Sequence, residues 1–403
     1  MNNNITDNLN KRKNWKTLEV YKKTKVGILP NDWNVLPIEE LVERIRKPVK
    51  VELNKMYRQI GIRSHGKGIF YKDEVSGFEL GNKAVFWIEP KCFIVNIVFA
   101  WELAVAKTTQ NEIGMIASHR FPMYKPLINM LNLDYLTYFF KSNMGKHLLE
   151  LASPGGAGRN KTLSQKGFFD LLIPIPRINE QEKIAEILST WDKSIELKEK
   201  LIEKNKNQTR GLMRTLLTGE VRLQGFGGEW REVRLGDICN ITTGKLDANA
   251  AVENGKYKFF TCSKTDYLID KYAFDTEALI IAGNGDIGHI KYFNGKFNAY
   301  QRTYVLDKFL GDTLYIKNYM DYKFKMKVDI EKQAGAMPYI KIDTLNSFIV
   351  RMPSLENEQK AIATILNTSN KETELFQQEL ELLKLQKKGL MQLLLTGIVR
   401  VEN

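Results

Sequence analysis

The stretch EQEKIAEILSTWDKSIELKEKLIEKNKNQTRGLMRTLLTGEVR, Glu180 to Arg222, lies without a gap over EQKAIATILNTSNKETELFQQELELLKLQKKGLMQLLLTGIVR, Glu358 to Arg400. Roughly half of the positions are identical, a density of matches that only an internal repeat produces. The correspondence extends upstream: Pro176 answers Pro353, and Trp33-Asn34-Val35-Leu36-Pro37-Ile38 answers Trp230-Arg231-Glu232-Val233-Arg234-Leu235. The chain is therefore a tandem duplication in which each unit has a mixed segment followed by a long helical one.

Within the helical segments, Ile184, Leu188, Trp191, Ile195, Lys198, Ile202, Asn205, Thr209, Leu212 and Leu216 alternate spacings of four and three, and Ile362, Leu366, Ser369, Thr373, Phe376, Leu380, Leu383, Lys387, Leu390 and Leu394 keep the same register. That spacing is a heptad seam. Polar residues interrupt each seam at different places, which implies that the two helices complete each other. Helices of about 35 residues would be roughly 50 Å long. Each ends in L-L-T-G-x-V-R, so Gly219 and Gly397 are expected in the left-handed conformation just past the helix. Glu180, Glu182 and Glu186 read as acidic helix-start residues favoured by the helix macrodipole.

The 403 residues, 43% of them hydrophobic, provide for about two to four globular domains. A formal net charge of +13 favours polyanionic partners, since clustered Lys and Arg displace counterions from a phosphate backbone. Cys92, Cys239 and Cys262 are odd in number and far apart, which provides neither a disulfide framework nor a metal knuckle and fits a reducing, cytoplasmic setting. The polar N-terminus lacks the apolar core of a signal peptide, and the apolar run Phe93 to Trp101 is interrupted by Asn96 and too short to span a bilayer.

The mixed segments, about 25 to 175 and 225 to 350, alternate short β-branched and aromatic runs with Gly, Asn and Asp and contain helical patches such as Asp134 to Leu151. Their expected class is α+β. A gap-free register places Ile97-Val98-Phe99-Ala100 over Leu279-Ile280-Ile281-Ala282 and Ala117-Ser118-His119-Arg120 over Ala299-Tyr300-Gln301-Arg302. On that register Gly283-Asn284-Gly285-Asp286-Ile287-Gly288 has Trp101 to Ala106 as its counterpart. The glycines spell G-x-G-x-x-G, but a dinucleotide turn opens a helix, whereas His289 to Phe293 followed by Asn294-Gly295 reads as a strand and a hairpin turn.

A loop that varies while its supports stay fixed suits a recognition surface. In the second unit, Asn284 and Gln301 have the chemistry to bond adenine bidentately, Arg302 to bond guanine, and His289 and Lys291 to reach bases or phosphates. In the first unit, Arg63, Ser64, His65, Lys67, Lys107, His119 and Arg120 occupy comparable loops. Pro154-Gly155-Gly156-Ala157-Gly158-Arg159-Asn160-Lys161-Thr162 departs from a nucleotide-binding P-loop because Asn160 replaces the last glycine. Arg159 and Lys161 there, and Lys341 at the end of the second-unit counterpart Gln333 to Lys341, are expected to contact the DNA backbone. No H-E-x-x-H, G-x-S-x-G, Walker or N-P-P-[YF] motif occurs, and His65, His119, His147 and His289 have no ligand-like spacing. No catalytic residue and no metal site is expected.

With the duplication, the domain order and two recurring strings in place, the chain resembles the specificity (S) subunits of type I restriction-modification systems. The strings are P-x-x-x-E-Q-x-x-I-A-x-I-L and G-L-M-x-x-L-L-T-G-x-V-R, present as Pro176 to Leu188 and Gly211 to Arg222, and again as Pro353 to Leu366, with one extra residue, and Gly389 to Arg400. The resemblance implies an N-terminal extension at 1–24, target-recognition domains at 25–177 and 220–354, and conserved spacer helices at 178–219 and 355–403. It also implies that the helices pack antiparallel as a coiled coil in a pseudo-twofold repeat, and that each recognition domain reads one half of a bipartite DNA target. Two modification (M) subunits using S-adenosylmethionine and two restriction (R) subunits using ATP and Mg would join it. The chain itself would bind no cofactor and catalyse nothing. An alternative within the family is service in a methylation-only or other defence complex.

Overall fold

The computed structural model describes residues 20–155, 161–333 and 339–401. The chain divides into two compact units, residues 1–197 with 380–403 and residues 198–379. Each holds one mixed α+β domain together with a segment from each of two long helices, Ile178–Thr218 and Glu356–Leu395, of 41 and 40 residues. Both helices exceed the heptad estimate because they start at once after the edge strands that precede them. Among the described residues no helix is long and apolar enough to cross a membrane.

The helix segments pair antiparallel inside each unit. In the second unit Lys198 Nζ meets Glu379 at 2.9 Å and lies 4.8 Å over the Phe376 ring, Asn205 Nδ2 donates to Glu372 at 2.8 Å, and the hydroxyls of Thr209 and Ser369 share a 2.6 Å bond. Thr373 also donates to Asn205 Oδ1. The polar residues that interrupt one seam thus face those that interrupt the other, so buried hydrogen-bonding groups are satisfied in pairs. In the first unit Lys387 pairs with Asp192, which also accepts from the Tyr138 hydroxyl at 2.7 Å. The helix ends are built into the domain cores: Ile184, Leu188, Leu394 and Leu395 with Trp33, Tyr135 and Phe139, and Leu216, Leu217, Ile362 and Leu366 with Tyr315, Met320 and Val350. Leu188 and Leu366 are wholly buried; truncating either to alanine removes about 2–5 kcal/mol.

The helix starts and ends are repeated clamps. Gln181 takes a bond from the Asn132 backbone N–H at 2.8 Å and donates to the Pro176 and Met130 carbonyls. Gln359 likewise takes one from the Asp312 N–H at 2.9 Å and donates to the Pro353 carbonyl. Asn132 and Asp312 cap equivalent helices that begin at Leu133 and Thr313, and Tyr135 and Tyr315 on those helices both donate to edge-strand carbonyls at 2.8 Å. Glu180 and its repeat partner Glu358 lie in the first turns of the helices, as expected, and have a second role. They are 4% and 1% exposed and receive the arginine that ends the opposite copy, Arg400 on Glu180 at 2.7 and 2.9 Å and Arg222 on Glu358 at 2.7 and 2.8 Å. Arg400 also forks onto Asp32. Gly219 and Gly397 are left-handed as expected, with φ of 74° and 66°.

In the first unit one sheet has the order Val42–Ile45, Met123–Pro126, Phe93–Val95, Val105–Lys107, and a second the order Ile69–Ser76, Met56–Ile62, Ile116–Ser118, Val85–Trp87. In the second unit a single sheet runs Asn240–Thr243, Thr303–Asp307, Phe274–Ala282, Ile290–Ala299, Tyr257–Phe260, Tyr267–Ile269. Neighbour relations match if the long strand Ile290–Ala299 does the work of both Val105–Lys107 and Ile116–Ser118. An edge ribbon completes each domain, Asn34–Pro37 on Leu172–Ile175 and Trp230–Arg234 on Ile349–Pro353. A further hairpin joins Tyr21–Thr24 to Gly27–Pro30.

Three local expectations change. Phe93 pairs with Tyr124, which pairs with Arg44, as Leu279 pairs with Leu306, which pairs with Ile241. The counterpart of Leu279 is therefore Phe93, and Ile97 to Phe99 form a turn. The apolar run is long enough to match in either register, and the loop after it is longer in the first unit, 96–104 against 283–289, so no gap-free frame aligns both sides of it. Asn294-Gly295 makes no hairpin turn: Phe293 and Phe297 both pack on Phe260, and the ladder to Phe274–Ala282 continues through Gly295. The helical patch 134–151 is two helices, Leu133–Lys141 and Asn143–Leu151, broken at Ser142, which caps the second through Gly145 N–H.

Candidate nucleic-acid interface

In the second unit the glycine loop 283–289 leaves the central strand Phe274–Ala282 and returns as the strand Ile290–Ala299, not as a helix, which removes the geometry a dinucleotide requires. Its first glycine is there for close approach: Gly283 N–H donates to the Arg302 carbonyl at 3.1 Å, its own carbonyl receives Ile340 N–H at 2.8 Å, and a Cβ would lie 2.5 Å from the Arg302 oxygen. The Arg302 backbone is thereby fixed, and the Cys262 thiol donates to the same carbonyl.

Around this junction is a recess of about 310 Å³ that brings together Asn284, Gln301 and Arg302 from the sequence candidates and adds Thr243, Tyr304 and Tyr339. Tyr304 holds the rim by donating to the Ile340 carbonyl at 2.8 Å. Gln301 donates to Asp247 at 2.8 Å at the surface. Arg302 is exposed, and its guanidinium has no partner among the described residues, so its donor fork faces solvent. Lys341 is exposed just beyond the rim at the start of the helix Ile342–Asn346.

Lys291 is tied into the fold. Its ammonium donates to the Ser263 and Lys264 carbonyls and to Asp266 at 2.7 Å, over the Phe260 ring, so it ties down the 261–266 loop. Half-buried His289 has its pKa lowered by burial and by neighbouring Lys291 and Lys264, which favours the neutral imidazole. Sequence reasoning misses Lys264, exposed on the tethered loop, and Tyr339. An isolated lysine or tyrosine in a polar segment carries no signal until the fold puts it beside the recess.

The first unit repeats this arrangement with other side chains. Ile97 N–H donates to the Arg120 carbonyl at 3.0 Å and the Ile97 carbonyl receives Leu163 N–H at 2.8 Å, the same bonds that Gly283 makes with Arg302 and Ile340. Arg120 is thus the structural counterpart of Arg302, and it is exposed beside His119. The hairpin 63–68 closes through Arg63 N–H to the Gly68 carbonyl and is pinned by His65 and Gly66 N–H groups on the Glu102 and Leu103 carbonyls and by Ser64 on the Glu102 carboxylate at 2.9 Å. Loop 261–266 is pinned likewise, through Asp286 N–H to the Cys262 carbonyl and Lys264 N–H to the Asp286 carboxylate, both at 3.0 Å.

Arg63, His65 and Lys67 are all exposed, and Arg63 lies over Phe70 at 5.0 Å. Lys107 is engaged in an exposed ion pair with Asp134. Lys161 stacks 5.3 Å over Trp101, beside the Ile97 to Leu163 junction. Arg159 and residues 334–338 of the second-unit counterpart lie outside the described residues. Among the described residues no group of His, Cys, Asp or Glu side chains is placed to hold a metal ion.

Comparison with known proteins agrees with this geometry. The putative MjaX specificity subunit of Methanocaldococcus jannaschii is 23% identical over 433 aligned positions, covering 96% of this chain and 98% of that one. The specificity subunit of the Escherichia coli type I restriction enzyme EcoDI is 41% identical over 140 residues, 35% of this chain and only 31% of that subunit's length. Two crystal structures share the fold at 17% identity: the type I restriction-modification S subunit from M. genitalium, with a TM-score of 0.60 over 92% of this chain and 97% of that one, and the HsdS subunit from Thermoanaerobacter tengcongensis, with 0.51 over 92% and 98%. The domain described as the type I restriction modification DNA specificity domain matches twice, at residues 30–206 and 227–385. The chain, with both copies of that domain on one duplicated frame, belongs to the type I restriction-modification DNA specificity family.

Proposed function

We propose that this chain is the non-catalytic subunit that chooses the DNA site for a type I restriction-modification complex, each unit reading one half of a bipartite target and the long helices setting the separation of the halves. The observation that supports this reading most is the pair Arg120 and Arg302: equivalent positions, each held by one backbone bond from the neighbouring loop, each exposed, and each surrounded by different side chains. A common frame with dissimilar readers suits two unlike half-sites. Arg302 would bond a guanine edge, with Asn284 and Gln301 available to adenine, while Lys161, Lys264, Lys341 and Lys67 would fix register on phosphates.

Methylation with S-adenosylmethionine would come from modification subunits, and ATP- and Mg-dependent cleavage from restriction subunits, two of each. The setting would be the cytoplasm. The direct test is binding of random-sequence duplex by the full chain at low salt. Release as salt rises supports the reading, whereas no retention at any salt contradicts it, because counterion release makes phosphate-bound complexes salt-sensitive.

A further inference from the structure

A cavity of about 270 Å³ in the first unit lies where the hairpin 63–68, the end of the helix Leu133–Lys141 and the second long helix converge. His65, Lys141, Lys384, Lys387 and Lys388 line it, against a single carboxylate, Asp192. That carboxylate is already engaged by Lys387 and by the Tyr138 hydroxyl. Lys384 pairs with Glu381. Lys141 is half-buried, with its stem packed against Gly66, and its ammonium has no partner among the described residues. Lys388 is exposed and also lacks one. Burial lowers the Lys141 pKa, with Lys387 and Lys107 adding to the fall and Asp192 and Asp134 opposing it.

In the second unit the two inner lysines are replaced, whereas Lys384 and Lys388 have basic counterparts, Lys206 and Arg210. Counting from the matched caps Asn132 and Asp312, Lys141 corresponds to Asp321, which is bonded by Lys317 at 2.7 Å. Through the helix repeat, Lys387 corresponds to Thr209, which is satisfied by Ser369. At these two inner positions the frame closes with a paired acid and a bonded hydroxyl in the second unit and with two lysines in the first.

We propose that this pocket binds a phosphate group of the DNA backbone, clamping the duplex beside the exposed His65 and Lys67 of the first recognition loop. The proposal rests on the DNA-binding reading above. Lys141 and Lys388 are the cations that have room for a new anion, and Lys387 keeps Asp192 from repelling it. A strand phosphate suits the site better than a free one because the pocket opens beside a loop already placed for a duplex.

The test is salt-dependent anisotropy of the full chain on a random-sequence duplex, for the wild type, Lys141→Met with Lys388→Gln, Lys388→Gln alone, and the control Lys183→Gln on an exposed helix face. In the double variant the slope of log Kobs against log salt is expected to become shallower by roughly 0.9, the effect of leaving one phosphate without its cation. It should shift in the same direction for Lys388→Gln, whose exposed site leaves folding intact, and stay put for the control. A wild-type slope with both pocket variants unchanged overturns the proposal and leaves the recognition reading standing. No salt-dependent binding by the wild type sinks both. If orthophosphate raises the Tm of the wild type but not of the double variant while the DNA slopes coincide, the pocket holds free phosphate. If the variants fail only in assembly with partner subunits, it holds an acidic protein segment. Either result overturns the assignment to DNA.

Discussion

Replacing Arg222 by methionine isolates the clamp that joins the two copies of the repeat. Glu358 is 1% exposed and receives both of its short bonds, 2.7 and 2.8 Å, from Arg222. Arg222→Met leaves a carboxylate in a nearly dry site with the methionine stem filling part of the space. Removing one partner of a buried pair costs about 3–5 kcal/mol. Because the Arg222 side chain is about a third exposed, water reaches the remaining charge, and about 2–3 kcal/mol is the better figure. Glu358→Gln in the Arg222→Met background removes the orphan charge and should recover about half of that. Urea denaturation of all four proteins, with hydrogen exchange assigning the loss to residues 198–379, forms a double-mutant cycle. A coupling of at least about 1 kcal/mol is expected. Additive single effects, or a loss below about 0.5 kcal/mol for Arg222→Met, would refute the clamp. In the first unit Arg400→Met should be milder for its buried acid, because Glu180 keeps the Trp33 indole N–H at 3.1 Å.

Other expectations are narrower. Gly397→Ala must hold φ near 66° and place a methyl 2.5 Å from Pro30 Cγ; the backbone strain alone is of order 1–3 kcal/mol, and an unchanged melting temperature would disprove the cap. Lys291→Ala should destabilise the second unit by about 1–2 kcal/mol by leaving its carbonyl partners unpaired without changing which DNA sequence is chosen, as read by denaturation and methylation mapping in parallel. The folded protein favours neutral His289, whose pKa lies below the ordinary 6.5. Between the two values the unfolded chain binds more protons, so stability rises with pH through that window, levels off above it and falls on acidification. His289→Gln should remove that slope in a pH series of unfolding curves.

The duplication, the α+β class, the heptad seam and the glycine caps were legible because each repeats a periodic or positional rule, whereas the antiparallel direction of the seam came only from the family resemblance. The heptad interruptions even announced their mutual pairing, realised as Asn205 with Thr373 and Thr209 with Ser369. The role of Glu180 and Glu358 was hidden, although both they and their arginines lie in the repeated strings, because each meets the arginine of the other copy. Loop equivalence failed for a different reason. Phe93 to Phe99 is apolar at all but one position, so hydrophobicity fits two registers, and only the strand ladder distinguishes them. Of the candidate readers, Arg302, Gln301 and Asn284 do converge, while Lys107 and Lys291 are held by Asp134 and Asp266. Composition registers a lysine's charge but not the carboxylate that meets it in the fold.

The central claim, two dissimilar readers on one frame, is tested most directly by mapping methylated bases in cells carrying the partner subunits with wild-type, Arg120→Ala or Arg302→Ala chains. Each arginine bonded to a base edge provides about 1–3 kcal/mol of discrimination. The account predicts that Arg120→Ala relaxes one half of the methylated motif, that Arg302→Ala relaxes the other, and that the spacing stays fixed. Relaxation of the same half by both variants, or of neither half by either, would contradict it.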